Sequence, residues 1–284
     1  MHSLETNGAI VRYEQLGEGP LLIMIPGASG VHDSYKDAAE TLKADFTVIL
    51  PDRRGYGYSE LTEPMPASIN QTHSTFKLEK DTQDVIALAQ HLSNNPVYIM
   101  GTDTGAVVGM HLLEQSPELI AGAALHEPLN ATVFSNRSDL EKETTKISEA
   151  AEIEGIPAAM RIFEHVMQPS QLDMEVLVEN TIAPCAVCSP DTMESNSAES
   201  TKIWMQYELR QYMDYLVNLE TLRQSADKIF WLQGTKSKGS LAYQASHLFA
   251  REMDRQAIEA AGGHFGYVQE PEAFAQNLIK ILKK

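Results

Sequence analysis

Between Val97 and Gly109 the chain reads Val-Tyr-Ile-Met-Gly-Thr-Asp-Thr-Gly-Ala-Val-Val-Gly. A short β-favouring run, Val97–Met100, meets Gly101, and Gly105 opens a helical pattern through Met110, Leu112 and Leu113. A strand that turns directly into a helix tolerates only small residues two before and two after its apex. The apex side chain then stands clear of the backbone at a helix N-terminus, whose dipole favours negative charge. The residue displayed there is Asp103. A carboxylate so exposed needs no base to activate it, and it can displace a leaving group at a saturated carbon to form an ester. The alternative is that Asp103 replaces a lost nucleophile and the turn now serves ligand binding. Thr102 and Thr104 flank the apex, and the turn aims neither side chain at a substrate.

The elements around this turn alternate. Gly8–Gln15 alternates loosely, and Leu21–Ile25 is apolar throughout, as a strand buried on both faces should be. That run ends in Pro26-Gly27-Ala28-Ser29-Gly30, a loop of small residues. A helix is expected over Asp33–Leu42, a strand over Phe46–Leu50, then Asp52-Arg-Arg-Gly-Tyr-Gly-Tyr-Ser59 and a helix over Phe76–Leu92. Asp52 and Arg53 read as loop braces rather than substrate contacts. Ile120–Leu125 is another apolar strand, closing in His126-Glu127-Pro128. From Leu129 to Asp227 strand signals lapse, and helical patterns occupy Leu140–Ala151, Pro157–Met167, Met174–Glu179 and Thr201–Leu222. They return at Lys228–Gln233, followed by a helix over Tyr243–Met253, a short strand over Gln256–Ala260, Gly262-Gly263-His264, and a last helix over Pro271–Lys283. Strands alternating with helices predict a mostly parallel α/β sheet.

Composition narrows the partners. At 284 residues and 43% hydrophobic the chain can bury a substantial core. Its net charge of −17, with no basic cluster, argues against nucleic acid and against an anionic membrane surface, leaving a small-molecule substrate. The first residues lack a basic then apolar leader, and no apolar run approaches the roughly 20 residues of a membrane span, so a soluble, cytoplasmic protein is expected. Cys185 and Cys188 form a lone C-x-x-C between prolines; without a second pair no structural zinc site is expected.

Strand, Pro-Gly loop, Asp-Arg-Arg-Gly-Tyr-Gly-Tyr-Ser, elbow and Gly-Gly-His in this order resemble the α/β-hydrolase superfamily over nearly the whole chain. The resemblance implies a mostly parallel central sheet with helices on both faces, formed by residues 1–128 and 228–284. A helical cap, 129–227, would be inserted between the strands that the family counts sixth and seventh. It implies a nucleophile at the elbow, an acid after the sixth or seventh strand and a histidine after the eighth. Aspartate at the elbow is similar to the haloalkane dehalogenase and epoxide hydrolase branches.

On that footing Asp103 is the nucleophile and His264 the general base for the water that cleaves the ester. The usual position of the acid falls in Gly234–Lys238, which has no carboxylate, so Glu127 is the replacement, with His126 as lining or structure. The oxyanion hole would use the backbone N–H of Thr104 and one from the Gly27–Ser29 loop, at Ala28. The cap helix offers Trp204, Tyr207, Tyr212 and Tyr215, of which the first three are the substrate-binding candidates. The chain departs from its branches in carrying Thr104, not tryptophan, after the aspartate, and no His-Gly-x-Pro before the first helix. The expected activity is a cofactor-independent hydrolase of a small, largely apolar molecule. The rival is a non-catalytic ligand-binding protein derived from a serine-type esterase.

Overall fold

The computed structural model describes residues 1–28, 30–71, 73–182, 201 and 203–283. The strands are β1 (His2–Thr6), β2 (Ala9–Leu16), β3 (Leu21–Ile25), β4 (Thr47–Pro51), β5 (Glu60–Leu61), β6 (Val97–Thr102), β7 (Ile120–His126), β8 (Ile229–Gly234) and β9 (Ile258–Ala260). They form one sheet in the order β1-β2-β4-β3-β6-β7-β8-β9, with the two-residue β5 beside β2. Every pair from β4 to β9 along that order is parallel; the pairs made by β2 are antiparallel.

The parallel strands are apolar on both faces because both faces are covered. On β3, Ile23 and Ile25 enter one core while Leu22 and Met24 enter the other, as the two-residue strand period requires. The first core is closed by α2 (Phe76–Leu92) and α3 (Thr104–Gln115), through Leu78, Val85, Val107 and Met110. The second is closed by α1 (Lys36–Leu42) and the C-terminal helix Pro271–Leu282, through Ala39, Leu42, Phe274 and Leu278.

Register brings the site together. Ile25 pairs with Gly101, Gly101 with Leu125 and Leu125 with Trp231, so β3, β6, β7 and β8 reach one level. The residues that follow each strand therefore emerge side by side at its C-terminal edge.

Between β7 and β8 the described residues form helices and no strand: α4 (Arg137–Ile153), α5 (Ile156–Met167), α6 (Gln171–Ile182), a π-helical stretch Ile203–Glu208, then Leu209–Asp214 and Leu219–Arg223. Counting β1 and β5 in chain order makes the flanking strands seventh and eighth. This insertion has its own core, in which Leu140, Ile147, Trp204, Met205 and Leu209 meet Leu129 from the sheet side. The single helix expected over Thr201–Leu222 is three pieces, because the backbone leaves the helix at Tyr215 and Asn218 caps a new one by accepting from the Thr221 N–H. β1 escapes a hydrophobic reading because its residues are mostly exposed. The Cys185–Cys188 pair lies outside the described residues.

Candidate active site

Asp103 is the only residue between β6 and α3, held at φ 54° and ψ −122°. The sterics of the turn account for its glycines. A Cβ on Gly101 would lie 2.4 Å from the Gly105 carbonyl oxygen, and one on Gly105 would lie 2.3 Å from that of Ile25. Gly27 faces the turn from the neighbouring loop, where a Cβ would come 2.8 Å from Cβ of Asp103. Glu127, directly after β7, is also at positive φ, 49°. Two of the five non-glycine residues at positive φ among those described are thus the two predicted carboxylates, and such conformations cost of order 1–3 kcal/mol each.

The carboxylate of Asp103 is buried, and its Oδ2 accepts the Ala28 N–H at 2.9 Å. One of the two amides expected to form an oxyanion hole, that of Ala28, therefore donates to an oxygen of Asp103 itself. Burial raises the proton affinity of Asp103 above the usual carboxylate range, against the opposing pull of His264 and the amides.

His264 follows β9 in the turn Gly262–Phe265, and its Nδ1 lies 2.8 Å from Glu127 Oε2. That bond fixes Nδ1–H and leaves Nε2 as the other ring nitrogen. Burial alone would lower the histidine; the bond and charge of Glu127, then Asp103 and Asp173, push it up to about 9. Glu127 is fully buried. Its Oε1 accepts the Gly234 N–H at 2.8 Å and the Ser237 hydroxyl. Burial would raise it, but the His264 bond, the neighbouring His126 and His264 and the Ser237 hydroxyl hold it below the usual range. His126 is fully buried, neither ring nitrogen has a partner among the described residues, and burial pushes it down to about 4. It packs edge-on against Phe274 as a structural residue.

Asp103 and His264 line one small cavity, part of it open to solvent, between the sheet edge and the insertion. Its walls are mainly apolar, with Leu129, Phe163, Met167 and Phe265 prominent. Trp204 joins them, and its buried indole N–H has no partner among the described residues. Tyr207 and Tyr212 are not brought to this cavity. In the π-helical stretch a three-residue spacing no longer returns to one face, so Tyr207 turns away from Trp204. Tyr212 is fully buried elsewhere and donates to Asp81 Oδ2 at 2.5 Å.

Behind the site lies a buried ionic cluster. Arg53 Nη2 donates to the Gly27 carbonyl at 2.6 Å and to Glu208 Oε1 at 2.6 Å, while Nη1 reaches Asp81 at 2.9 Å. Lys77 closes on Asp81 at 2.6 Å and Tyr56 on Glu208 at 2.6 Å. Arg53 thus braces the loop that carries the Ala28 amide, and Asp52 accepts the N–H groups of His32 and Tyr58 at 2.8 Å each. Sequence reasoning missed Ser237 and Asp173, whose approach to the site is made by tertiary packing alone.

A mostly parallel sheet helical on both faces, an elbow displaying one side chain and a histidine bonded to an acid at the strand ends define the α/β-hydrolase class. The chain belongs to the alpha/beta hydrolase fold family, which it matches over residues 20–271. It is similar along its length to the uncharacterized hydrolase YraK of Bacillus subtilis (strain 168), 23% identical over 293 residues, covering 99% of this chain and 96% of that protein. Among solved structures, a thermophilic esterase from Thermogutta terrifontis shares the fold with a TM-score of 0.65 at 19% identity, covering 97% of this chain and 93% of that one. The enol-lactonase from Burkholderia xenovorans LB400 does so at 0.64 and 17%, covering all of both chains.

Proposed function

We propose that this chain hydrolyses a small, largely apolar electrophile, a haloalkane or an epoxide, through a covalent ester on Asp103. The observation that carries the reading is the Oδ2 of Asp103 on the Ala28 amide, in a cavity shared with the Glu127-bonded His264. With Oδ2 so held, Oδ1 is the attacking atom. It bonds to the saturated carbon as the carbon–leaving-atom bond breaks, and the electron pair departs as halide, or as an alkoxide that takes a proton from water. Trp204 supplies an indole N–H for the departing atom.

Ester formation cancels the charge of Asp103, one of the charges that keep His264 protonated. The histidine loses its proton and becomes the base for water. Hydroxide adds to the ester carbonyl carbon of Asp103, and the oxyanion develops on Oδ2, where the Ala28 N–H already donates. Collapse releases the alcohol, which takes its proton from His264; the acid left on Asp103, now holding one water oxygen, passes its proton to His264 and restores the carboxylate and the imidazolium. Glu127 holds the Nδ1–H and stabilises the imidazolium. Carboxylate, imidazole and water complete the cycle without a cofactor.

The same Asp103 contact favours a second reading, a non-catalytic ligand-binding protein, because a carboxylate on the Ala28 amide occupies the place of an acyl oxygen in a serine-type site. Incubation with haloalkanes, epoxides and esters, followed by product analysis and intact-protein mass, separates the two. Turnover of a haloalkane or epoxide with a transient adduct supports the enzyme; binding without turnover supports the alternative.

A further inference from the structure

The two residues flanking His264 are both tied down by one pair of side chains. Gln269 Oε1 accepts the Gly263 N–H at 2.6 Å, and Asp173 Oδ1 accepts the Phe265 N–H at 3.3 Å. Gln269 Nε2 then donates to the same Asp173 oxygen at 2.9 Å, which closes the clasp. Asp173 belongs to α6 of the insertion, not to the sheet domain. It is fully buried, and its other oxygen accepts the Ser170 hydroxyl at 2.6 Å, while its own N–H donates to Ser170 Oγ at 3.2 Å at the start of the helix. The fit is close: a Cβ on Gly263 would lie 2.4 Å from Asp173 Oδ1. The second glycine of Gly-Gly-His is therefore small because a carboxylate of the insertion sits against it.

We infer that Asp173 is a positioning residue for His264, through which the seating of the helical insertion sets the aim and the charge of the histidine. This rests on the proposed role of His264. Three carboxylates then bear on that side chain: Glu127 bonds Nδ1 from the end of β7, while Asp103 at the elbow and Asp173 of the insertion line the same cavity as His264. Among the described residues His126, neutral, is a further titratable neighbour, its ring centroid 6.2 Å from that of His264. Of the three carboxylates, only that of Asp173 departs if the insertion lifts. Lifting would free the two N–H groups that Asp173 receives and remove a negative charge from beside the histidine. A seated insertion thus holds His264 aimed and protonated.

The test is a pair of variants read by NMR titration of His264, its imidazole signal assigned by its absence in His264→Gln. Asp173→Asn keeps a carbonyl oxygen for the Phe265 and Gln269 N–H groups while removing the charge and the acceptor that faces the Ser170 hydroxyl. Its His264 midpoint is expected to fall by roughly one pH unit, the scale of a nearby carboxylate. Asp173→Ala also removes the clasp, and is expected to slow ester hydrolysis by about tenfold or more with KM little changed. An unchanged midpoint in folded Asp173→Asn overturns the inference, even if Asp173→Ala fails to fold. The titration does not depend on turnover. A shifted midpoint in a protein that hydrolyses nothing would uphold the Asp173 coupling and remove only the catalytic reading.

Discussion

Glu127, at the end of the strand before the insertion, accepts from His264 Nδ1 at 2.8 Å, and its second oxygen crosses to the loop after β8. There it receives the Gly234 N–H and the Ser237 hydroxyl, in a loop that carries no carboxylate of its own. One buried acid thus occupies the junction of two strand ends.

Replacing Glu127 with glutamine keeps the volume and removes the charge that supports the imidazolium. Breakdown of the Asp103 ester should slow by roughly 10³–10⁴-fold, with substrate binding nearly unchanged. Rapid-quench kinetics on a turned-over substrate would show it. An unaltered rate returns Glu127 to a structural role.

The pH dependence follows from His264, raised to about 9 in the resting site. Losing the charge of Asp103 lowers that value, so ester hydrolysis should rise with pH through a midpoint below 9. Alkylation of Asp103 should be nearly flat over the same range. For stability the sign is that of a raised histidine. Its contribution is fully present below about 6.5 and is lost as pH rises through about 9. Urea unfolding of the wild type and His264→Gln at pH 6 and pH 10 checks this: the stability gap between them should shrink at the higher pH.

Arg53→Ala leaves Glu208 and Asp81 buried with one cation fewer. Lys77 still serves Asp81 and Tyr56 still serves Glu208, so the loss should sit near the low end for a broken buried pair, about 3 kcal/mol. Denaturant melts measure it. A loss under about 1 kcal/mol, the range of a surface pair, would mean that the cluster does not brace the Gly27 loop.

What could be read from the sequence, and what could not, divides along a physical line. The elbow was legible because the need for Gly101 and Gly105 is steric and local, and Glu127 only through the resemblance, which implies an acid after one of two strands, one of which is followed by the acid-free Gly234–Lys238. Alternation of apolar runs with helical patterns carried the parallel sheet. Asp173 was illegible: in sequence it is one acidic residue near a helix start, and only the docking of α6 brings it to Phe265. The aromatic series from Trp204 to Tyr215 shows the opposite error. Spacing on a presumed single helix cannot tell that a π-helical stretch changes the face presented after Trp204, and neither Tyr207 nor Tyr212 reaches the cavity.

Trp204→Phe retains an aromatic ring against Phe163 and deletes the donor. Formation of the ester from a haloalkane should slow by roughly 10–150-fold, the worth of one hydrogen bond to developing charge, while hydrolysis of the ester is unaffected. Equal slowing of both steps would instead assign Trp204 to packing.

The central claim is that Asp103 itself forms the bond to substrate, and its most direct test is trapping in His264→Gln. A carboxylate nucleophile needs no histidine for the first step and needs it for the second. The variant should therefore stop turning over, yet gain the mass of the alkyl group stoichiometrically on the peptide containing Asp103. Asp103→Ala should gain nothing. If the wild type turns over a substrate and His264→Gln never yields that adduct on Asp103, the account is contradicted.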